Sequence, residues 1–385
     1  MSTVYVFKPE SLPALKGSDS DDPFTSTSIH CRLPDIVLET MRRNEDSISS
    51  ETAAALKKIA QDLQSGNPLV PLRDDPHQMY WGTLKYTDLP VDEVPWFYLE
   101  NYIYRRILSH FPLGVDPFRH QKVEALEGAR GQAFACTAAT TVGSALMLSL
   151  WGNRADLSLS AGKKVSAAEL LEGGLLTDAT DQILSALRDT ARLKKRVYLF
   201  VDNCGLELLR DLSLSAVVLR GSPAEGIEPV QGVTIMCKAS PVFVSDATGK
   251  DVIEHIDWLC EAVEELGSSL RAELQSGRIK IQEHEFLCSG EAFWDMPRGL
   301  SEELACACGL AIVKGDANYR RLLGDRHWRH TTPFPEALSY FPCPVAALRT
   351  LKAGIVVGLG PDVNETTLPK NWLVSGQYGV IQCKP

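Results

Sequence analysis

No two of the ten cysteines stand at CxxC spacing, and the nearest pair, Cys306 and Cys308, is separated by a single residue. That argues against a zinc ribbon and a thioredoxin-type redox pair. The N-terminus, MSTVYVFKPESLPALKGSDSDD, lacks an apolar core followed by a small-residue cleavage site. The expectation is a reduced chain in the cytoplasm rather than a disulfide scaffold. Positive charge is in the minority, with 39 basic against 49 acidic residues and a formal net charge of −10. That balance disfavours nonspecific nucleic acid or an anionic membrane as partner. The one long uncharged stretch, Gly131 to Gly152, is rich in Thr, Ser, Gly and Ala, which suits a closely packed buried helix better than a membrane span. Several catalytic templates are missing as well. There is no GxxxxGK[ST] loop, no GxSxG elbow, no HExxH, and no GxGxxG after the first strand of the second half. No internal repeat or low-complexity linker interrupts the 385 residues.

What is present changes rhythm near Arg196. Residues 1–195 read as a mostly helical subdomain. Glu51–Gln64 follows a Ser-rich start and stops at Ser-Gly-Asn-Pro, Trp96–Leu108 places apolar residues at helical spacing, and Ala167–Leu187 repeats the pattern. In residues 196–385, β-rich runs (197–201, 232–236, 278–282, 310–314 and 378–382) alternate with helical segments. That alternation predicts an α/β fold, a parallel, doubly wound sheet. Ligands of such sheets sit beyond the carboxyl ends of the strands.

Those ends carry the chemistry. VYLFV runs into Asp202-Asn203, with Glu207 one helical turn on. GVTIM is followed by a second extended run ending in Asp246, and LAIVK by Gly315-Asp316-Ala317-Asn318-Tyr319-Arg320. Arg349 to Lys352 stands beside the apolar Ala353–Val357. Singly, each Asp or Asn is an ordinary helix cap and each cation an ordinary surface charge. Together they suit a divalent ion facing an anion. Asp202, Asn203 and Asp246 could supply three oxygens to a hard cation. Arg320 and Lys352 could hold a phosphate, with backbone N–H groups after Asp316 adding donors. Cys204 reads as packing, and His284, His327 and His330 as surface or structural.

At these residues the chain resembles the metal-dependent damage-control phosphatases, in the branch acting on sugar phosphates, whose members have also been labelled acidic-residue methyltransferases. The matching segments are FVDNCGLELLRDL, PVFVSDATGKD, KGDANYRRLLGDRHW and ALRTLKAGIVVGL, with SLWGNRADLSLS, VPWFYLENYIYRRI and DPFRHQK in the helical half. The Arg-Thr-x-Lys element, Arg349 to Lys352, is particularly diagnostic. The resemblance implies a three-layer α/β/α domain behind a helical N-terminal subdomain, with Mn²⁺, Co²⁺, Ni²⁺ or Mg²⁺ held by Asp202, Asn203 and Asp246. It also implies substrate contacts from Glu207, from Asp316, Ala317, Asn318, Tyr319 and Arg320, and from Lys352 with Arg349. Two departures are local: Ala317 replaces a larger apolar residue, and Met236-Cys237 stand where a His is common. The expected activity is metal-dependent hydrolysis of a small sugar phosphate, such as a fructose or related hexose phosphate. The alternative is carboxyl methylation from S-adenosylmethionine, against which the missing Gly-rich loop counts.

Overall fold

A computed structural model describes residues 12–15, 23–72, 81, 85–87, 89–137, 139–152 and 174–385. The first part of the expected 167–187 helix and residues 153–160 of a matching segment lie outside the described residues.

Seven strands form one sheet: β1 (Leu175–Asp178), β2 (Arg196–Phe200), β3 (Gly232–Lys238), β4 (Ile279–His284), β5 (Cys308–Lys314), β6 (Val345–Thr350) and β7 (Gly379–Lys384). Their order is β1-β7-β6-β5-β2-β3-β4. From β4 to β6 all neighbours are parallel, whereas β7 pairs antiparallel with β6 and carries β1 parallel to itself. The sheet is therefore mixed at one end, where a wholly parallel one was expected. Direction reverses at β2: the chain moves outward through β3 and β4, then returns to lay β5 on the other side of β2. That reversal opens a crevice at the carboxyl ends of β2, β3 and β5, where a doubly wound sheet takes its ligand.

The central strands bury both faces, so they read as continuous apolar runs. Val197, Leu199, Val233, Ile235, Leu310 and Ile312 pack on one face against the helices Val142–Leu150, Thr180–Arg192, Leu206–Arg220 and Gly249–Ala262. Tyr198, Phe200, Met236, Ala311 and Val313 point the other way, into the layer holding Arg298–Ala307 and Asp316–Leu323. The period of two thus separates the faces of a three-layer α/β/α sandwich. A third apolar cluster, from Ile29 to Phe118, includes Leu99, Tyr102 and Ile103 of the helix Trp96–Leu108 and touches the sheet domain through Val242 and Cys288.

Several local readings change. β1 and the helix Thr180–Arg192 precede residue 196 yet belong to the sheet layer. The uncharged stretch 131–152 is a 3₁₀ turn followed by the helix Val142–Leu150, rather than one helix. Among the described residues, no helix is long and apolar enough to cross a membrane. The run before Asp246 is a turn rather than a strand, because Phe243 takes a left-handed backbone (φ +54°).

Candidate active site

β2 ends at Phe200, and Asp202 and Asn203 follow it directly into the crevice. Asn203 forms an isolated antiparallel bridge with Asp246, so the loop after β3 is tied to the end of β2. Ser245 Oγ donates to Asn203 Oδ1 (2.5 Å), and Asn203 Nδ2 donates to Glu207 Oε2 (2.9 Å) and Asp202 Oδ2 (3.2 Å).

The two strands flanking β2 each end in a buried lysine. Lys238, the last residue of β3, places Nζ 3.1 Å from Asp202 Oδ1 and 2.7 Å from Asp246 Oδ2. Lys314, the last residue of β5, reaches Glu207 Oε1 (3.2 Å), Asp211 Oδ1 (3.0 Å) and the Ser149 carbonyl (3.0 Å). These four carboxyls and two ammoniums are all at most 4% exposed. Sequence reading missed both lysines. Their signal was present: a lysine closing an otherwise apolar strand, in GVTIMCK and CGLAIVK.

Four acids against two lysines leave an excess of negative charge out of water, and the carboxyls respond. Burial raises Asp202 above the usual carboxylate range despite Lys238. Burial, with Asp202 adding repulsion, lifts Asp246 to about 7 against the pull of Lys238. Burial likewise carries Asp211 to about 6. Glu207 goes the other way: burial works to raise it, but Lys314 and the Asn203 amide hold it below its ordinary value.

Asp316 opens the next helix at the end of β5. Gly315 precedes it with φ +83°, and a Cβ there would fall 1.8 Å from Asp202 Oδ2. Only glycine lets the two strand ends approach this closely. Asp316 Oδ1 accepts from Arg349 Nε (2.8 Å) and from the Lys352 backbone N–H (3.1 Å). Burial would raise this carboxyl, but the Arg349 and Arg320 charges keep it low. Arg349 is itself spent on Asp316 and on the carbonyls of Ala353 and Ile355.

A cavity of about 270 Å³ collects Asp202, Asn203, Asp246, Asp316, Ala317, Arg320 and Lys352, together with Arg32, Trp96, Glu100, Tyr104 and Phe243 from the helical layer and the β3 loop. The remaining expected contacts lie behind its wall. Glu207 braces Asn203; Asn318 Nδ2 donates to the carbonyls of Val201 and Lys314; the Tyr319 hydroxyl donates to Gln382; Arg349 holds Asp316. Arg320 faces the cavity already paired, with Asp325 (3.0 Å twice) and Glu100 (2.7 Å). A larger cavity of about 1000 Å³ lies elsewhere; it is lined by parts of the matching segments, such as Asp116, Arg119 and Asp251, but by none of the expected metal or substrate contacts.

The donor set suits a hard cation. Asp246 Oδ2, in ion-pair contact with Lys238, makes no directed hydrogen bond, and the surrounding acids lack balancing charge. Among the described residues no three His, Cys, Asp or Glu side chains are disposed to hold an ion on their own. Asn203 stands beside Asp202 and Asp246, its amide nitrogen turned to Asp202 and Glu207 and its oxygen to the Ser245 hydroxyl.

The family model for the damage-control phosphatase ARMT1-like domain matches residues 26–366. The chain belongs to the ARMT1-like damage-control phosphatase family. It is similar to damage-control phosphatase ARMT1 of Mus musculus (31% identity over 96% of this chain and 98% of that protein) and of Homo sapiens (30%, 96% and 98%). The Danio rerio protein of the same name is 28% identical over 97% of this chain and 96% of its own length. The relatives named span 96–97% of this chain, so the match takes in the helical layer as well as the strand ends.

Proposed function

We propose that this phosphatase is a metal-dependent hydrolase of small phosphorylated sugars, with hexose phosphates such as fructose 1-phosphate as the favoured class, acting in the cytoplasm. The observation that carries the reading is that Asp202 and Asp246, from different strand ends, both line the cavity that also holds Lys352, and both pair with the buried Lys238 ammonium. Two carboxylates gathered on one cation are an arrangement a divalent ion would also draw on.

Asp202, Asn203 and Asp246 would hold that ion, whether Mg²⁺, Mn²⁺, Co²⁺ or Ni²⁺. When bound, it supplies Lewis-acid polarisation of the phosphoryl group and acidifies a water. The chain's own residues do the rest. Ser245 and Glu207 fix the Asn203 amide in place, its oxygen on the Ser245 hydroxyl and its nitrogen on Glu207 and Asp202. Asp316, locked by Arg349 and the Lys352 N–H, anchors the segment that presents the Lys352 ammonium to phosphate oxygens. Arg320 adds positive charge from its Asp325 cradle. Cys204 stands where a second acid would serve a covalent aspartyl scheme, and its buried thiol is pushed well above the usual thiol range. Direct attack by water is the route these residues favour.

The cavity is small beside typical ligand sites of roughly 300–1000 Å³, which fits a phosphorylated monosaccharide better than a nucleotide. The test is a phosphate-release screen over sugar and nucleotide phosphates, with and without each divalent ion. Hexose phosphates turning over best, and only with metal, is the expected result. Release indifferent to EDTA would contradict it. The methyl-transfer alternative instead requires label moving from S-adenosylmethionine to carboxyl groups without phosphate release.

A further inference from the structure

The cavity also has apolar lining. Phe243 and Val244 from the loop after β3, Ile36, Trp96 and Tyr104 from the helical layer, and Ala353 contribute to it beside the charged groups, the Arg32–Glu100 pair among them. Phe243 is the exceptional member. Its backbone is left-handed at φ +54°, a strained region that bulky side chains rarely enter. Such a conformation persists only where the surroundings over-determine it. Here the Phe243 ring packs on Tyr104, centroids 4.9 Å apart at 45°, and Tyr104 in turn is wedged edge-on against Phe118 at 5.8 Å. Two residues further on, Ser245 and Asp246 hold Asn203. The chain thus strains its backbone to turn an aromatic ring into the pocket, three residues from a carboxylate of the site.

That ring packs against the helical-layer core yet remains half-buried, and it lines the cavity. A pocket lined by both anion-binding groups and aromatic rings fits a ligand of matching polarity, charged at the phosphate and carrying carbon-bound hydrogen on its skeleton. Resting on the phosphatase reading above, we infer that Phe243 is the specificity-determining platform for the substrate's carbon skeleton, contributing to recognition of the sugar ring and nothing to the phosphate. The compounds selected are monophosphates of compact cyclic polyols, whose ring C–H groups lie flat on an aromatic face. Open-chain phosphates of similar charge gain less from the same ring.

The experiment separates the two ends of the ligand. KM and kcat are measured with a hexose phosphate and with glycerol phosphate, and inorganic phosphate is titrated as a competitive inhibitor, for the wild type, Phe243→Ala and Phe243→Gly. Both variants should raise the hexose-phosphate KM about tenfold. The kcat, the inhibition constant for phosphate and the glycerol-phosphate KM should stay within about twofold of wild type. The glycine variant, which accepts the left-handed backbone without penalty, should melt above the alanine variant and supplies the reading if the latter folds poorly. An unchanged hexose-phosphate KM overturns the inference. So does a loss that weakens phosphate inhibition equally, because the ring would then shape the anion end. A wild type that releases phosphate from no ester at all would instead sink the phosphatase reading itself, and this inference with it.

Discussion

Lys238 and Asp246 form an ion pair of 2.7 Å in which neither side chain is more than 3% exposed, and the same ammonium lies 3.1 Å from Asp202. A cation this deeply buried is held by its partners, and they by it. Removing one member of such a pair typically costs about 3–5 kcal/mol, because the other is left charged and unpaired. Lys238→Met should therefore lower unfolding free energy by that order in EDTA, read by urea denaturation. Added Mn²⁺ should recover much of the loss by supplying the missing positive charge. A variant as stable as wild type in EDTA would mean that Lys238 does not balance the acids.

Gly315 tests how tightly the strand ends must meet. Alanine there would place a methyl 1.8 Å from Asp202 Oδ2 and force a residue with a side chain to φ +83°. Gly315→Ala should cut kcat/KM on the order of 100-fold through displacement of Asp202, since misplacements of about 1 Å carry penalties of that size. Activity within a few-fold of wild type would show that Asp202 can move without consequence.

Lys352 and Arg320 both face the cavity, and the Arg320 guanidinium carries two carboxylate partners, Asp325 and Glu100, of which Glu100 is also held by Arg32. Lys352→Ala should weaken inorganic-phosphate inhibition and lower kcat/KM; both unchanged would take Lys352 out of the pocket. Arg320→Ala should lower the melting temperature, because it removes the guanidinium from Asp325 and leaves Glu100 to Arg32 alone. A melting temperature equal to wild type would show that Asp325 does not depend on Arg320.

His255 supplies a pH test away from the acidic floor. Its ring is buried, with Nε2 accepting the Gly205 N–H (2.8 Å) and Nδ1 donating to the Asp251 carbonyl (2.7 Å). Burial, opposed by Asp251, pushes it down to about 4 from an ordinary value of 6.5. The unfolded chain therefore takes up a proton near 6.5 that the folded one refuses until about 4. Stability from this site is complete above 6.5 and lost as pH falls through that window, by about 3 kcal/mol in total. His255→Gln should flatten the dependence of unfolding free energy on pH between 6.5 and 4; an unaltered slope would assign it to other groups.

Much of the frame could be read in advance because burial on both faces writes itself into a strand as an uninterrupted apolar run. VYLFV, GVTIM and LAIVK were each found within two residues of β2, β3 and β5. β1 and β6 were not, since LLTD is too short for a pattern and VAALRT ends in polar residues that pair inside the protein. The turn at Phe243 was hidden for another reason. Nothing in PVFVSD breaks an extended pattern, and the left-handed residue is held there by Tyr104, more than a hundred positions earlier in the chain.

By itself the sequence determined the sheet's central strands, the identity of the oxygen-bearing residues at their ends and the membership of the family, because these depend on local pattern and order. Only the tertiary structure decided that Lys238 and Lys314 sit among those acids, that Glu207, Asn318, Tyr319 and Arg349 brace the pocket from behind, and that aromatic rings line it. Which way a charged side chain points, and what neutralises it, is fixed by strand order. β3 and β5 flank β2 only because the chain reverses there, and that adjacency gathers two lysines and four carboxyls into one buried cluster.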